Sequence, residues 1–153
     1  MNHVRRNSSV LLKLAATILL GSATLAVAAT APAPVSDPHL AKLAAQGKTL
    51  FTQAKFKGNG RVCESCHLGG GLEPGRRPDG KPIPSLANAA AVFPRYKERA
   101  GRVFTLSDQI RGCIGGALEG QVPEEGSEEL TALLVYVTSL SQGKAIDMGG
   151  KPQ

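Results

Sequence analysis

Leu40, Leu43, Ala44, Gly47, Leu50, Phe51 and Ala54 recur at spacings of three and four, which places them on one apolar stripe of a helix. Asp37 is positioned to cap that helix and Pro38 to take its first position, where a missing N–H leaves no bond unmade. Gly47 lowers helix propensity in the middle of the stripe, so the pattern predicts another helix passing close to it. A second stripe, Leu130, Leu133, Leu134, Val137 and Leu140, lies towards the other end. Ser127 can cap it, Glu128 and Glu129 suit the positive end of its dipole, and Gly143 followed by Lys144 ends it.

Between these helices the pattern is weaker. Residues 69–84 are crowded with Gly and Pro and read as loop. A short helix over 86–92 should stop before Pro94. Thr105 is placed to cap another that runs towards Cys113 and is broken by Gly115, Gly116 and Gly120. No stretch alternates with a period of two, and no internal repeat is present. The expected class is all-α.

The first residues have a different logic. Arg5, Arg6 and Lys13 precede the apolar run 14–25, and Ala26-Val27-Ala28 offers the small-x-small pattern that signal peptidases cut. The run is too short and too rich in small residues to span a membrane convincingly. The expected organisation is a signal peptide over 1–28, a disordered leader over 29–36, one domain over 37–143 and a flexible tail over 144–153. No stable membrane insertion is expected after cleavage. Residues 1–28 carry three basic side chains and no acidic ones, so their removal takes the formal charge from +6 to +3. With no basic stripe and no Trp, the chain gives no case for nucleic acid as a partner.

The decisive chemistry is Cys63-Glu64-Ser65-Cys66-His67. C-x-x-C-H is the attachment sequence of a covalent haem: each thiol adds to one vinyl group, and the following His sits beneath the iron. A zinc ribbon would need a second ligand pair of similar spacing, which Cys113, His39 and His3 do not make. A thioredoxin-type pair would open a helix in a βαβ unit, whereas Gly58, Gly60 and Gly69 to Gly71 flank this motif with loop. One haem c is therefore expected, with Cys63 and Cys66 holding the porphyrin and His67 binding the metal. Haem is attached after export, so a Sec-type signal and a periplasmic location are expected, in preference to the twin-arginine reading that Arg5-Arg6 invites. In a domain with four Phe and two Tyr, a large flat cofactor is also part of the core.

Two amphipathic terminal helices with C-x-x-C-H soon after the first resemble the class I cytochrome c fold. In that family the terminal helices cross, and Gly47, Phe51 and Tyr136 match the small and aromatic residues at the crossing.

The sixth position on the iron is open to three readings. The loop over 118–126, where class I cytochromes usually carry a Met, has none. Met148 lies after the last helix, and His39 opens the first helix on what reads as its solvent side. Cys113 is an odd thiol, without a disulfide partner once Cys63 and Cys66 are consumed, and lies near the distal loop in sequence. Cys113, Met148 or an open position therefore remain. A thiolate ligand would keep the potential low.

A narrower resemblance rests on longer stretches. Gly47-Lys48-Thr49-Leu50-Phe51 through Gly58-Asn59-Gly60-Arg61-Val62-Cys63 resembles the run before haem in di-haem peroxidases and thiosulfate dehydrogenases. Phe93-Pro94-Arg95-Tyr96, Gly101-Arg102, Thr105-Leu106, Ile110 to Cys113 and the final helix resemble the haem domains of thiosulfate dehydrogenases and SoxA cytochromes. The resemblance implies that Cys113 binds the iron of a catalytic haem. Two departures stand against it. Those enzymes generally carry two haems, whereas this chain has one attachment site. Gly115-Gly116-Ala117 also stands where a polar or basic pair is expected. Arg95, Arg102 and Arg111 are the candidates for holding a sulfur dianion instead.

From sequence alone the leading expectation is a periplasmic electron carrier working by outer-sphere exchange with redox partner proteins, another cytochrome or a dehydrogenase. The alternative is a haem enzyme or subunit oxidising inorganic sulfur compounds, with Cys113 on the iron and a second haem subunit as partner.

Overall fold

A computed structural model describes residues 35–153. The expected signal peptide and almost all of the expected leader lie outside the described residues. Helix α1 (Pro38–Gln53) starts at Asp37, whose Oδ1 accepts from the backbone N–H groups of His39 at 2.8 Å and Leu40 at 3.1 Å. Helix α2 (Ala89–Val92) is a single turn that ends before Pro94, as the sequence suggests. Helix α3 (Leu106–Gly116) is capped by Thr105, and α4 (Glu128–Ser139) by Ser127.

The terminal helices cross. α1 buries Gly47 and Phe51, and α4 buries Leu130, Ala132, Leu133, Tyr136 and Val137. A Cβ added at Gly47 would lie 2.6 Å from Tyr136 Cβ and would run into the Ala132 carbonyl. Glycine is thus required because two backbones meet there. One turn further on, the Phe51 and Tyr136 rings pack edge to face at 5.3 Å, and the Tyr136 hydroxyl donates to Gly70 O at 2.7 Å. Such an aromatic pair contributes about 0.5–1.5 kcal/mol beyond its area. Phe56, Ala89, Ile114, Leu118 and Leu140 complete the core around this crossing.

The molecule is not wholly helical. Strands β1 (Gly75–Arg76) and β2 (Pro82–Ile83) form one antiparallel ribbon, within the segment expected as loop. Strands β3 (Arg95–Lys97) and β4 (Arg102–Phe104) form another, pairing Arg95 with Phe104, Tyr96 with Val103 and Lys97 with Arg102. Strands of two or three residues are too short to show alternation, which explains why the all-α expectation misses them. α3 also continues through Gly115 and Gly116, where the sequence suggested a break. Ile114 is fully buried and Leu118 nearly so, and this anchorage outweighs the propensity loss of about 1 kcal/mol per glycine. α4 stops at Ser139, short of Gly143, which instead follows a further turn at φ 77°.

Residues 144–153, expected as a flexible tail, fold back on α2. Asp147 N–H donates to Ala91 O at 2.8 Å and Gly149 N–H to Val92 O at 3.0 Å, while Asn88 bonds the backbone of Lys151 and Gln153. Among the described residues no helix is long and apolar enough to cross a membrane.

Candidate haem site

The C-x-x-C-H segment follows α1 through a loop knitted to the far end of α3. Asn59 N–H donates to Leu118 O at 2.8 Å, its side chain to Ala117 O at 3.2 Å, and Gln121 N–H to Phe56 O at 2.6 Å. Through these bonds the chain just before Cys63 and the chain just after Cys113 become one wall. Cys63–Ser65 then form a 3₁₀ turn in which Ser65 Oγ accepts from Val62 N–H at 3.0 Å. Cys66 and His67 N–H groups both donate to Cys63 O, at 3.2 and 3.0 Å. Glu64, inside the motif, accepts from Gly70 N–H at 2.9 Å and ties the turn to the loop that meets Tyr136.

Cys63, Cys66, His67 and Cys113 all line one cavity of about 810 Å³. That volume lies within the ~300–1,000 Å³ of ligand sites in general. Its apolar lining includes Leu86, Val92, Phe93, Ile110, Leu133 and Val137. Gly112, Gly116 and Ala117 present bare helix to it, so the polar pair absent from the sequence leaves open wall rather than a substituted contact.

Electrostatics follow from burial. Burial pushes the Cys63 thiol up to about 12, with the neighbouring Cys113 adding to the shift. Cys113 is likewise raised by burial, offset in part by a hydrogen bond from Gln109 and the charge of Lys97. Burial lowers His67, so its imidazole is neutral at pH 7, the form that binds a metal. His67 Nδ1 is buried and has no hydrogen-bond partner, and its ring lies 6.3 Å from that of Phe51. Two thiols on one turn, an adjacent neutral imidazole with an unpaired nitrogen, and an apolar cavity fit a covalently attached haem.

Of the side chains weighed for the sixth position, Cys113 lines this cavity and Met148 and His39 do not. Met148 is 67% exposed and His39 stands exposed at the start of α1. The arginines divide similarly. Arg111 pairs with Glu125 at 3.3 Å and Arg102 with Asp108 at 3.0 Å, and neither lines the cavity. Arg95 does line it, and its Nε is buried without a partner.

Two residues escaped the sequence reading. Lys97, on β3, lies 5.3 Å from the Phe104 ring centroid and 5.9 Å from that of Phe93, and donates to Gln109 Oε1. Gln109 Nε2 in turn donates to Cys113 Sγ at 3.2 Å. The spacing of Gln109 and Cys113 on α3 was legible as four residues on one helix face. Lys97 was not, because it arrives on a ribbon that no periodicity announces.

The SoxA/TsdA cytochrome c domain family matches residues 46–146. A thiosulfate dehydrogenase of Psychrobacter arcticus is 35% identical over 85 residues, covering 56% of this chain and 24% of that protein. A thiosulfate dehydrogenase of Allochromatium vinosum is 30% identical over 125 residues, covering 78% of this chain and 45% of that protein. The chain thus spans less than half the length of either relative. A solved thiosulfate dehydrogenase (TsdBA) from Marichromatium purpuratum superposes with a TM-score of 0.59 at 28% identity, covering 78% of this chain and 27% of that one.

Proposed function

The chain belongs to the SoxA/TsdA cytochrome c domain family, and on that premise we propose that it is a periplasmic haem c protein of inorganic sulfur oxidation, with thiosulfate as substrate. Membership makes it a class I c-type cytochrome with covalently bound haem c. The sequence alone favoured a plain electron carrier, and the relatives favour the alternative. The observation that carries the proposal is Cys113 in the same cavity as Cys63, Cys66 and His67.

Each residue has a role its geometry supports. Cys63 and Cys66 would hold the porphyrin through thioethers to its two vinyl groups. His67 would offer the iron a neutral imidazole, and Cys113, on the same cavity, would be its second protein ligand. Haem c, when bound, supplies a reversible one-electron acceptor. Arg95 and Lys97 bring positive charge to the cavity wall, where a sulfur dianion needs it. Joining two thiosulfates as tetrathionate releases two electrons, which leave singly to a separate cytochrome. This sequence has one C-x-x-C-H, and in this proposal the second haem expected for such enzymes lies outside it.

The test is to add thiosulfate to purified ferric holoprotein. Reduction of the haem with tetrathionate appearing is the expected result. No reaction with thiosulfate or other sulfur anions, alongside rapid exchange with another cytochrome, would return the chain to the carrier reading.

A further inference from the structure

Lys97 and Gln109 meet beside Cys113, although neither has a part in haem attachment or in ligation by His67. The Lys97 ammonium donates to Gln109 Oε1, and Gln109 Nε2 donates to Cys113 Sγ at 3.2 Å. An ammonium has donors and no acceptor, so it dictates which end of a carboxamide it meets. The amide oxygen must face Lys97, and the NH₂ group is thereby turned towards the sulfur. Lys97 is itself held by β3 and by the Phe93 and Phe104 rings, and helix α3 sets Gln109 one turn before Cys113.

We propose that Gln109, oriented by Lys97, is a positioning residue that holds Cys113 Sγ through an N–H···S hydrogen bond and raises the reduction potential of the haem iron. This rests on the reading above that Cys113 is an iron ligand. A hydrogen bond to a ligand sulfur draws electron density away from the metal, which disfavours ferric iron more than ferrous. An unmodified buried thiolate would hold the potential low. The bond moves it upward, as acceptance of electrons from a sulfur anion requires.

The proposal is tested on the full-length holoprotein by ferric electron paramagnetic resonance, optical spectra and redox titration. Cys113→Ser should abolish the thiolate signature. Gln109→Leu should keep that signature while moving the ferric–ferrous equilibrium towards ferric by about threefold or more, ~28 mV for a one-electron couple. If Gln109→Leu fails to mature, Gln109→Met makes the same comparison, since it keeps a similar length and loses the N–H donor without adding charge. Lys97→Met should lower the potential too, and the shift of the Gln109→Leu/Lys97→Met pair should be smaller than the two single shifts together. An unchanged potential in the Gln109 variants, with Cys113→Ser altering the spectra, overturns the relay and leaves the ligand reading standing. Unaltered spectra in Cys113→Ser overturn the ligand reading and the relay with it. Fully additive shifts show Lys97 acting through its own charge and overturn its orienting role.

Discussion

A thiol among apolar side chains resists ionisation, because the thiolate is poorly solvated there. Cys63, pushed up to about 12, is in that state until it forms a thioether, after which it no longer titrates. The fates of the three cysteines should therefore separate on denaturation. Holoprotein unfolded in the presence of an alkylating reagent should gain one label, at Cys113, and carry one haem in its mass. A Cys63→Ser/Cys66→Ser variant should carry no haem that survives denaturation and should still label at Cys113. Two or more labels on haem-bearing protein would contradict double thioether attachment. At this scale the sequence was informative wherever chemistry depends on short spacing, as in Cys63, Cys66 and His67. It could not separate Arg95 from Arg102 and Arg111. That distinction depends on which acids lie nearby in space, and Asp108 and Glu125 engage the latter two.

Elements are held by caps and by one close crossing. Asp108 closes the start of α3: its carboxylate accepts from Thr105 N–H at 2.9 Å, from the Thr105 hydroxyl at 2.8 Å and from Arg102 at 3.0 Å. The Arg102 hydrogen bond, with those from Thr105, holds this carboxyl well below the usual carboxylate range. A depressed folded-state value means stability that is fully present above the unfolded value and is lost as pH falls through the folded one. Wild type should therefore exceed Asp108→Ala by a constant margin above about pH 5, and the margin should shrink as pH drops below about 4. Denaturant midpoints measured across that range check it, and a margin that grew with acid would refute it. The crossing makes a stronger demand. Gly47→Ala gains about 1 kcal/mol of helix propensity, yet its methyl group would strike the Ala132 carbonyl and Tyr136. Overpacking of this kind costs about 1–3 kcal/mol, and rigid backbone on the opposite side puts Gly47→Ala at the upper end. A lowered unfolding midpoint is expected; an unchanged or higher one would mean the helices can part without loss. The sequence signalled this crossing through one glycine in an otherwise apolar stripe. The β3–β4 ribbon had no comparable signal, and with it went the only route to Lys97.

For the whole molecule, the cofactor has to be counted as core. The cavity measures about 810 Å³, and its walls come from the C-x-x-C-H turn, β3, β4, α2, α3 and α4 together. Its walls are largely apolar, and a porphyrin seated there would keep Leu86, Val92, Phe93, Ile110, Leu133 and Val137 from water. A domain is stable by only about 5–15 kcal/mol, so the loss of that burial would be felt across the molecule. The elements would respond differently to its loss. α1 and α4 pack directly on each other through Gly47, Phe51, Tyr136 and Leu133, and this contact does not need the porphyrin. α3 and the β3–β4 ribbon have one face on the cavity and depend on what fills it. The chain made without haem attachment, as Cys63→Ser/Cys66→Ser, should therefore keep part of its helical circular dichroism while losing a cooperative thermal transition. Amide exchange should accelerate most in α3 and β3–β4 and least at the Gly47 crossing. A haem-free chain that unfolded as sharply as the holoprotein, with equal protection in α3 and α4, would show that the protein core is sufficient without its cofactor.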